Sequence, residues 1–399
     1  MNVHEASRLA LRKRMASDEE ARFRTLSRRA AAHLEEDSAP AGRVEWIYHL
    51  LCGDPKRGAT ELELLDRNWG SCARPEDRYA LASALRELED TRLVQGGARV
   101  WVLLAIAWTR VSRGEAAQLA DGPGKILDLA RDAEDPRAEA DSQCLLGDVL
   151  EAQGKLEAAQ AAFEEYLAIS RRLAEQNPSN AGWQLELAGA QSRIGGVLQA
   201  QGKLEAALAA FKEYLAISRH LAEQDPSNAG WQLELAGAQS RIGGVLQAQG
   251  KLETAQAAFG EALAISRHLA EQDPSNAGWQ RELAVAQNRI GGVLQARGKL
   301  EAAQAAFGEA LAISRHLAEQ DPSNADWQRE LAVACWRIAH LEAKAGRHAA
   351  ALPLYEEASR IFGVLAERAP GFVQWAKDKE DVESELSRCR LLAAASISA

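Results

Sequence analysis

In the second half of the chain, apolar and polar positions follow two interleaved patterns that restart every 48 residues. Residues 182–228 read "GWQLELAGAQSRIGGVLQAQGKLEAALAAFKEYLAISRHLAEQDPSN". There Leu187, Ile194, Val197 and Leu198 keep the i, i+3/i+4, i+7 spacing of one helix face, which predicts a helix A over 181–201. Gly202 supplies the left-handed residue that ends a helix. Leu204, Ala207, Leu208, Phe211, Leu215 and Leu221 then predict a helix B over about 203–224. Pro226 cannot continue that helix, and Ser227 or Asn228 can cap the next one.

The period is kept along the chain by Trp183, Trp231, Trp279, Trp327 and Trp375, and by Gly154, Gly202, Gly250, Gly298 and Gly346. Phe163, Phe211, Phe259 and Phe307 keep it too, with Tyr355 in the fifth place. A helix pair with one shared apolar seam cannot bury that seam alone, so successive pairs must stack. Trp231 follows the "DPSN" turn and is expected to pack on the tail of the preceding helix B, near Leu221.

Within each unit the residues resemble the tetratricopeptide repeat, W-x₂-L-G-x₂-Y…A-x₃-F…P. Ile194-Gly195, Leu198, Ala207 and Phe211 match its Leu-Gly, Tyr, Ala and Phe positions. Leu146-Gly147, Leu150, Ala159 and Phe163 fill the same slots, as do Ile242-Gly243, Leu246, Ala255 and Phe259, and Ile290-Gly291, Leu294, Ala303 and Phe307. The fifth unit has Ile338-Ala339, Ala351 and Tyr355. Two departures stand out. Gln191 occupies the family's first Trp position, and the period exceeds the usual 34 residues, so both helices are lengthened.

This resemblance covers about 135–399 and implies an all-α fold: a right-handed α-solenoid of antiparallel helix pairs. The five units are 135–182, 183–230, 231–278, 279–326 and 327–374, and 375–399 is a capping helix with its tail. The near-identity of the second and third units fits a binding array better than a catalytic site. In the family, helix A lines the concave surface. The matching positions are Ser192, Gly196 and Gln199; Ser240, Gly244 and Gln247; and Asn288, Gly292 and Gln295. Asp148 and Glu151 stand there in the first unit, and Trp336, His340 and Lys344 in the fifth, so specificity is expected at the two ends.

Arg193, Arg241, Arg289 and Arg337 form a ladder on helix A, each seven residues after Glu186, Glu234, Glu282 and Glu330. Ion pairing along the stack is the expected use of these charges, and a ribbon for an acidic peptide is the alternative. His220, His268 and His316 also repeat, but one per unit, too far apart to share a metal ion.

Residues 1–96 read as a helical N-terminal module, and 97–134 as a degenerate helix pair linking it to the array. Ser17 followed by Glu20 has the form of a capping box. The run "LRKRM…RFRTLSRRAAAHLEE…RVEWIYHLL" resembles the helical segment after the nucleotide-binding module in bacterial signal-transducing (STAND-type) NTPases with tetratricopeptide sensors. "DGPGKI" at 121–126 lacks the first Gly and the Ser/Thr of a phosphate loop and reads as a turn between helices.

Composition narrows the function. Of the 399 residues 47% are hydrophobic, enough for a core, and the longest apolar run, "VWVLLAIAW", is half a membrane span. The net charge is −10, and residues 135–399 carry 26 Lys and Arg against 35 Asp and Glu. An acidic array argues against nucleic acid as a partner. Five cysteines, never CxxC, read as free thiols of a cytoplasmic protein, and no motif calls for a metal, a cofactor or an enzyme's site; His49 and Cys52 are read as packing. The expected function is a scaffold or adaptor that binds a protein or peptide on its concave face. The alternative is a sensor or regulatory arm of a bacterial NTPase or caspase-like effector enzyme, docking through residues 1–134.

Overall fold

A computed structural model describes residues 3–72, 75–368 and 373–397, and among them there is no strand. The chain divides into two compact units, Met1–Gln176 and Asn177–Ala399.

In the first unit the helices are Val3–Asp18 (α1), Glu20–Leu34 (α2), Pro40–Gly53 (α3), Pro55–Cys72 (α4), Pro75–Thr91 (α5), Gly96–Ser112 (α6), Gly122–Asp132 (α7), Pro136–Ala152 (α8) and Leu156–Gln176 (α9). One core runs from Ala16 and Phe23 through Ile47, Leu51, Leu62, Leu88, Val100 and Ala130 to Leu145 and Val149 of α8. The N-terminal helices and the first repeat therefore share their buried side chains. Arg12 joins α1 to α3, bonding Glu45 at 2.5 Å and lying 4.5 Å above the Tyr48 ring; Tyr48 in turn donates to Glu87 of α5 at 2.8 Å.

The Ser17 capping box does not form. Ser17 lies inside α1, where its hydroxyl donates to the Arg14 carbonyl and to Asp18, and α2 starts at Glu20 with Glu19 as an N-cap that makes no side-chain bond. The helix breaks two residues later than the motif requires. Nor is "DGPGKI" a loop between helices: Gly122 and Pro123 open α7, with proline where its missing N–H costs nothing.

In the second unit the helices are Ala181–Ala200 (α10), Leu204–Gln224 (α11), Ala229–Ala248 (α12), Leu252–Gln272 (α13), Ala277–Ala296 (α14), Leu300–Gln320 (α15), Ala325–Lys344 (α16), His348–Arg368 (α17) and Val373–Ile397 (α18). Even numbers are A helices and odd numbers B helices, and each packs on the next in the chain. Phe211, Phe259 and Phe307 are sealed at 1% exposure or less. Each ring lies where a Cβ on Gly195, Gly243 or Gly291 would stand, 2.7 Å away at the closest for Gly243. The Leu-Gly slot is thus glycine because a phenylalanine occupies its side.

Turns are equally determined. Gly202, Gly250, Gly298 and Gly346 have φ between +74° and +76°, and the Lys203 N–H reaches back to the Leu198 carbonyl at 2.9 Å. In "DPSN" the cap is asparagine: Asn228 accepts from the Trp231 N–H at 3.2 Å, while Ser227 is held by Asp225. Trp231 itself is half-buried, as are Trp183, Trp279 and Trp327, whereas Trp375 is buried in the core of the last helices. The polar tie from the start of α12, α14 and α16 to the preceding B helix comes from the next residue: Gln280, for one, donates to the Ala270 carbonyl at 3.1 Å. Gln239 and Gln287, in the family's Trp position, are buried and donate to Glu261 and Glu309 of their partner B helices.

Candidate functional site: the rungs and slots of the A helices

Arg241, Arg289 and Arg337 are exposed on α12, α14 and α16. Among the described residues none of the three makes an ion pair or hydrogen bond to a carboxylate. The expected pairing with the glutamate ladder is not made by direct contact, and only Glu330 acts on Arg289 and Arg337, at longer range. Glu234 accepts from Tyr214 at 2.6 Å, Glu282 from Arg281 at 3.0 Å, and Glu330 from the same Arg281 at 3.4 Å. Within one helix each glutamate is out of reach of its own arginine, because seven residues span two helical turns, about 10 Å along the axis.

The three guanidiniums feel one another instead. The Arg289 pKa is lowered by desolvation and then by Arg241, with Glu330 opposing, and that of Arg337 by desolvation and then by Arg289, again against Glu330. The arginines therefore form one row along successive A helices, their tips wet and their surroundings partly dry. Arg337 leans 5.8 Å from the Phe307 ring and reaches back toward α14.

Three residues after Arg241 and Arg289 come Gly244 and Gly292. A Cβ built on Gly196 or Gly244 meets nothing within 4 Å, and on Gly292 only Arg337 Nη1 at 3.7 Å. Each is an open slot beside a rung. Ser192, Ser240, Gln199, Gln247 and Gln295 are half-buried at neighbouring positions, and Arg193 is exposed. Asn288 differs from its serine counterparts: it is buried at 7%, and its Oδ1 has no hydrogen-bond partner.

At the end of the array the same positions are filled. Forty-eight residues after Arg337 the rung is Glu385, on α18, and the slot position of α16 is His340. The Glu385 carboxylate accepts from Trp336 Nε1 at 3.2 Å and from the Tyr355 hydroxyl at 2.7 Å, and pairs with His340 Nδ1 at 3.0 Å. Burial raises its pKa, but these bonds and the His340 charge outweigh burial and hold it below the usual carboxylate range. Trp336 and His340 thus fasten the last helix, while Lys344 is exposed beyond them. Sequence reasoning stopped the register at Trp375 and missed this charge inversion, although the same 48-residue count reaches it. Asp148 and Glu151, in the first unit, are half-buried on α8.

Other candidate chemistry is closed. Ser27, His49 and Glu45 have the residue types of a nucleophile relay, with His49 3.4 Å from the Ser27 hydroxyl and 3.8 Å from Glu45. Yet Ser27 is only 1% exposed, so no substrate reaches it. Burial pushes the Cys52 thiol up to about 12 and, with Glu357 beside it, the Cys335 thiol also to about 12. Cys52, Cys144, Cys335 and Cys389 are buried and outside any disulfide, and the side chain of Cys72 lies outside the described residues. His220, His268 and His316 are exposed, each 3.0 Å from a glutamine one turn on. Among the described residues no cluster could hold a metal ion, and no helix is long and apolar enough to cross a membrane.

A family model described as tetratricopeptide repeat matches residues 187–227, 235–275 and 283–323, and a second of the same description matches 140–172. The matches leave out Trp231 and Trp279, which belong to the lengthened joint. No curated protein matches the chain by sequence. Among solved structures, a Rap protein complexed with competence and sporulation factor is similar at 15% identity and a TM-score of 0.53, over 93% of this chain and 99% of that one. The apo form of RapI gives 15% and 0.53 over 84% and 86%. A signal transduction ATPase with numerous domains and a tetratricopeptide repeat sensor, from Pyrococcus horikoshii, gives 13% and 0.55; it covers 92% of this chain, which spans 54% of that protein. At these identities the likeness is one of fold. With its seam, its glycine slots and its repeat matches in register, the chain carries tetratricopeptide repeats over 140–172 and 187–323, in units stretched to 48 residues.

Proposed function

We propose that this chain is a noncovalent scaffold that holds a peptide segment of a partner protein against its A helices. The observation that carries this reading is the row Arg241, Arg289 and Arg337, exposed on successive A helices and, among the described residues, without a hydrogen bond or ion pair to a carboxylate, Glu330 acting on Arg289 and Arg337 only at longer range. Ser192, Arg193, Gln199, Ser240, Gln247 and Gln295 stand on the same A helices and can supply hydrogen bonds, with Lys344 beyond them on α16. Many modest contacts on a preformed surface add to a usable affinity, because the scaffold has little ordering to undergo.

Photo-crosslinking residues placed at Gln247 and Gln295, and on the exposed B-helix side at Arg219 and His268, test this in cells of the source organism. Crosslinks from the first pair alone are expected. Crosslinks from the second pair alone would move the binding surface to the B helices.

The sensor-arm reading draws support from the Pyrococcus horikoshii protein, whose own repeats are described as a sensor. Here the N-terminal helices share a core with α8, so any effector docking on 1–134 would meet a surface already fused to the first repeat. Substitutions confined to the outer face of α1–α5 that abolish effector binding while leaving A-helix crosslinks intact would favour it.

A further inference from the structure

Independently of what the A helices bind, we infer that the joints between units are of two kinds, a tyrosine joint and an arginine joint, which work only as complete sets and so fix which B helix accepts which A helix.

The need for such a lock follows from the repetition. Helices α10 and α12 have the same sequence letter for letter, and α13 and α15 differ at one residue. A solenoid is held by nearest-neighbour contacts, so a helix that meets a copy of its proper neighbour finds the same seam. Misassembly of this sort is a characteristic failure of repeat proteins. The sealed phenylalanines, glycine turns and asparagine caps recur from joint to joint and cannot tell one copy from another. Discrimination has to come from positions that differ.

One position on the B helix and two on the following A helix change together. They are Tyr214 of α11 with Leu233 and Gly237 of α12. In the next two joints they are Ala262 with Arg281 and Val285, and Ala310 with Arg329 and Val333. Tyr166, Leu185 and Gly189 repeat the first set of letters one period earlier in the sequence.

In the tyrosine joint the bulk lies on the B helix. Tyr214 is 6% exposed, and its hydroxyl donates at 2.6 Å to Glu234, one turn before Gly237 on the same helix face. A Cβ on Gly237 would stand 3.1 Å from Tyr214 Oη, inside ordinary van der Waals contact, and valine adds two methyl groups to that Cβ. The ring cannot swing aside without losing its bond to Glu234. Leu233 has no donor to offer in its place.

In the arginine joints the bulk crosses to the A helix. Ala262 and Ala310 are buried at 4% and 0% exposure, and Val285 and Val333 stand in the position of Gly237. The glutamate now takes its donor from its own helix. Arg281 bonds Glu282 at 3.0 Å and reaches Glu330 of α16 at 3.4 Å. Arg329 lies 3.8 Å from Glu330 and 3.9 Å from the buried Asp378 of α18, which carries the chain of charges to the last helix.

Mixed sets fail in either direction. Tyrosine against valine crowds a buried ring, and alanine against glycine and leucine leaves a gap and a glutamate without its donor. A slip that skips α12 and α13 would set Tyr214 against Val285 and is closed, whereas α13 suits α16 as well as α14. Specificity is therefore built by making the wrong neighbour unfavourable.

Melting temperatures of full-length variants test this at both kinds of joint. Gly237→Val should lower the native value by about 4 °C or more, and added to Tyr214→Ala it should raise that variant's value instead. Ala262→Tyr should lower the native value as far, and adding Arg281→Leu and Val285→Gly should recover more than half of the loss. A Gly237→Val effect of the same sign in both backgrounds overturns the inference. So does an Ala262→Tyr variant that melts like the native chain, or a completed set no more stable than Ala262→Tyr alone. A mixed set that does not fold, beside a completed set that does, supports it; failure of both to fold overturns it.

Discussion

The middle of the array and its C-terminal end solve one position in opposite ways. In the middle the rung is arginine and the slot is glycine, and the two leave an exposed cation beside empty space. At the end the rung is Glu385 and the slot is His340, and Trp336, His340 and Tyr355 converge on one carboxylate. The backbone is the same in both places: a 20-residue A helix, a glycine turn and a 21-residue B helix. An open slot is therefore not forced by the repeat. The sequence closes it where a last helix must be held and leaves it open where none is.

The strongest way to break this contrast is to give the end the rung of the middle. Glu385→Arg removes the acceptor shared by three donors and sets a cation against His340. A hydrogen bond to a charged group contributes about 1.5–3 kcal/mol, and the three share one partly exposed carboxylate, so a loss of roughly 2–3 kcal/mol is expected. Hydrogen exchange should show it as early loss of protection confined to α18. Acid should do the same more gently. Because the folded-state pKa of Glu385 is depressed, its contribution is complete above the ordinary carboxylate value of about 4.3 and is lost as pH falls through the lower folded value. Glu385→Gln should flatten that acid limb; an unchanged limb would mean that other carboxylates govern the docking of α18.

The second test compares the sealed sides of the two regions. Gly243→Ala drives a methyl to 2.7 Å from the Phe259 ring, which is 1% exposed and cannot yield without moving the seam. Overpacking of this kind costs about 1–3 kcal/mol. In the fifth unit the same pair is Ala339 and Tyr355, both buried, and there the exchange runs the other way. Ala339→Gly should cost about 1 kcal/mol, from helix propensity. Denaturant midpoints of the two variants check the order. A loss at Ala339 equal to that at Gly243 would mean that the end is packed as tightly as the middle.

These contrasts also mark what the residues disclosed beforehand. The 48-residue period, the glycine turns and the sealed phenylalanines were legible, because spacing and φ requirements are local properties of the chain. So was the arginine ladder as a row. Its expected interhelical pairing with the glutamates is not a direct one: Glu330 of α16 acts on Arg289 of α14 only at longer range, and Glu234 turns to Tyr214 on the neighbouring helix. Trp336 and His340 were read as groove residues at the end of the array, and the side chain they meet comes from a helix 45–49 residues further on. Such a partner is invisible to a local pattern unless the register is carried past the last tryptophan. The polar network of Arg12, Glu45, Tyr48 and Glu87 was unreadable for a similar reason, since it joins three helices that share no period.

The smallest effect bears most directly on function. Gly244→Ala adds a Cβ that meets nothing within 4 Å and exchanges the poorest ordinary helix former for the best. Thermal unfolding of the full chain should show a gain of up to about 1 kcal/mol, partly from the reduced freedom of the unfolded chain. At the closed end His340→Gly, the corresponding change in reverse, should lose stability, since it removes a bond to Glu385 along with helix propensity. The opposite signs are the point. If Gly244→Ala instead destabilised the chain, the slot would be needed by the repeat itself, and the empty space beside Arg241 would have a structural cause. If it stabilises, the repeat forgoes about 1 kcal/mol at each of three corresponding positions for no contact of its own, and selection for something that lies over the helix is the explanation left standing.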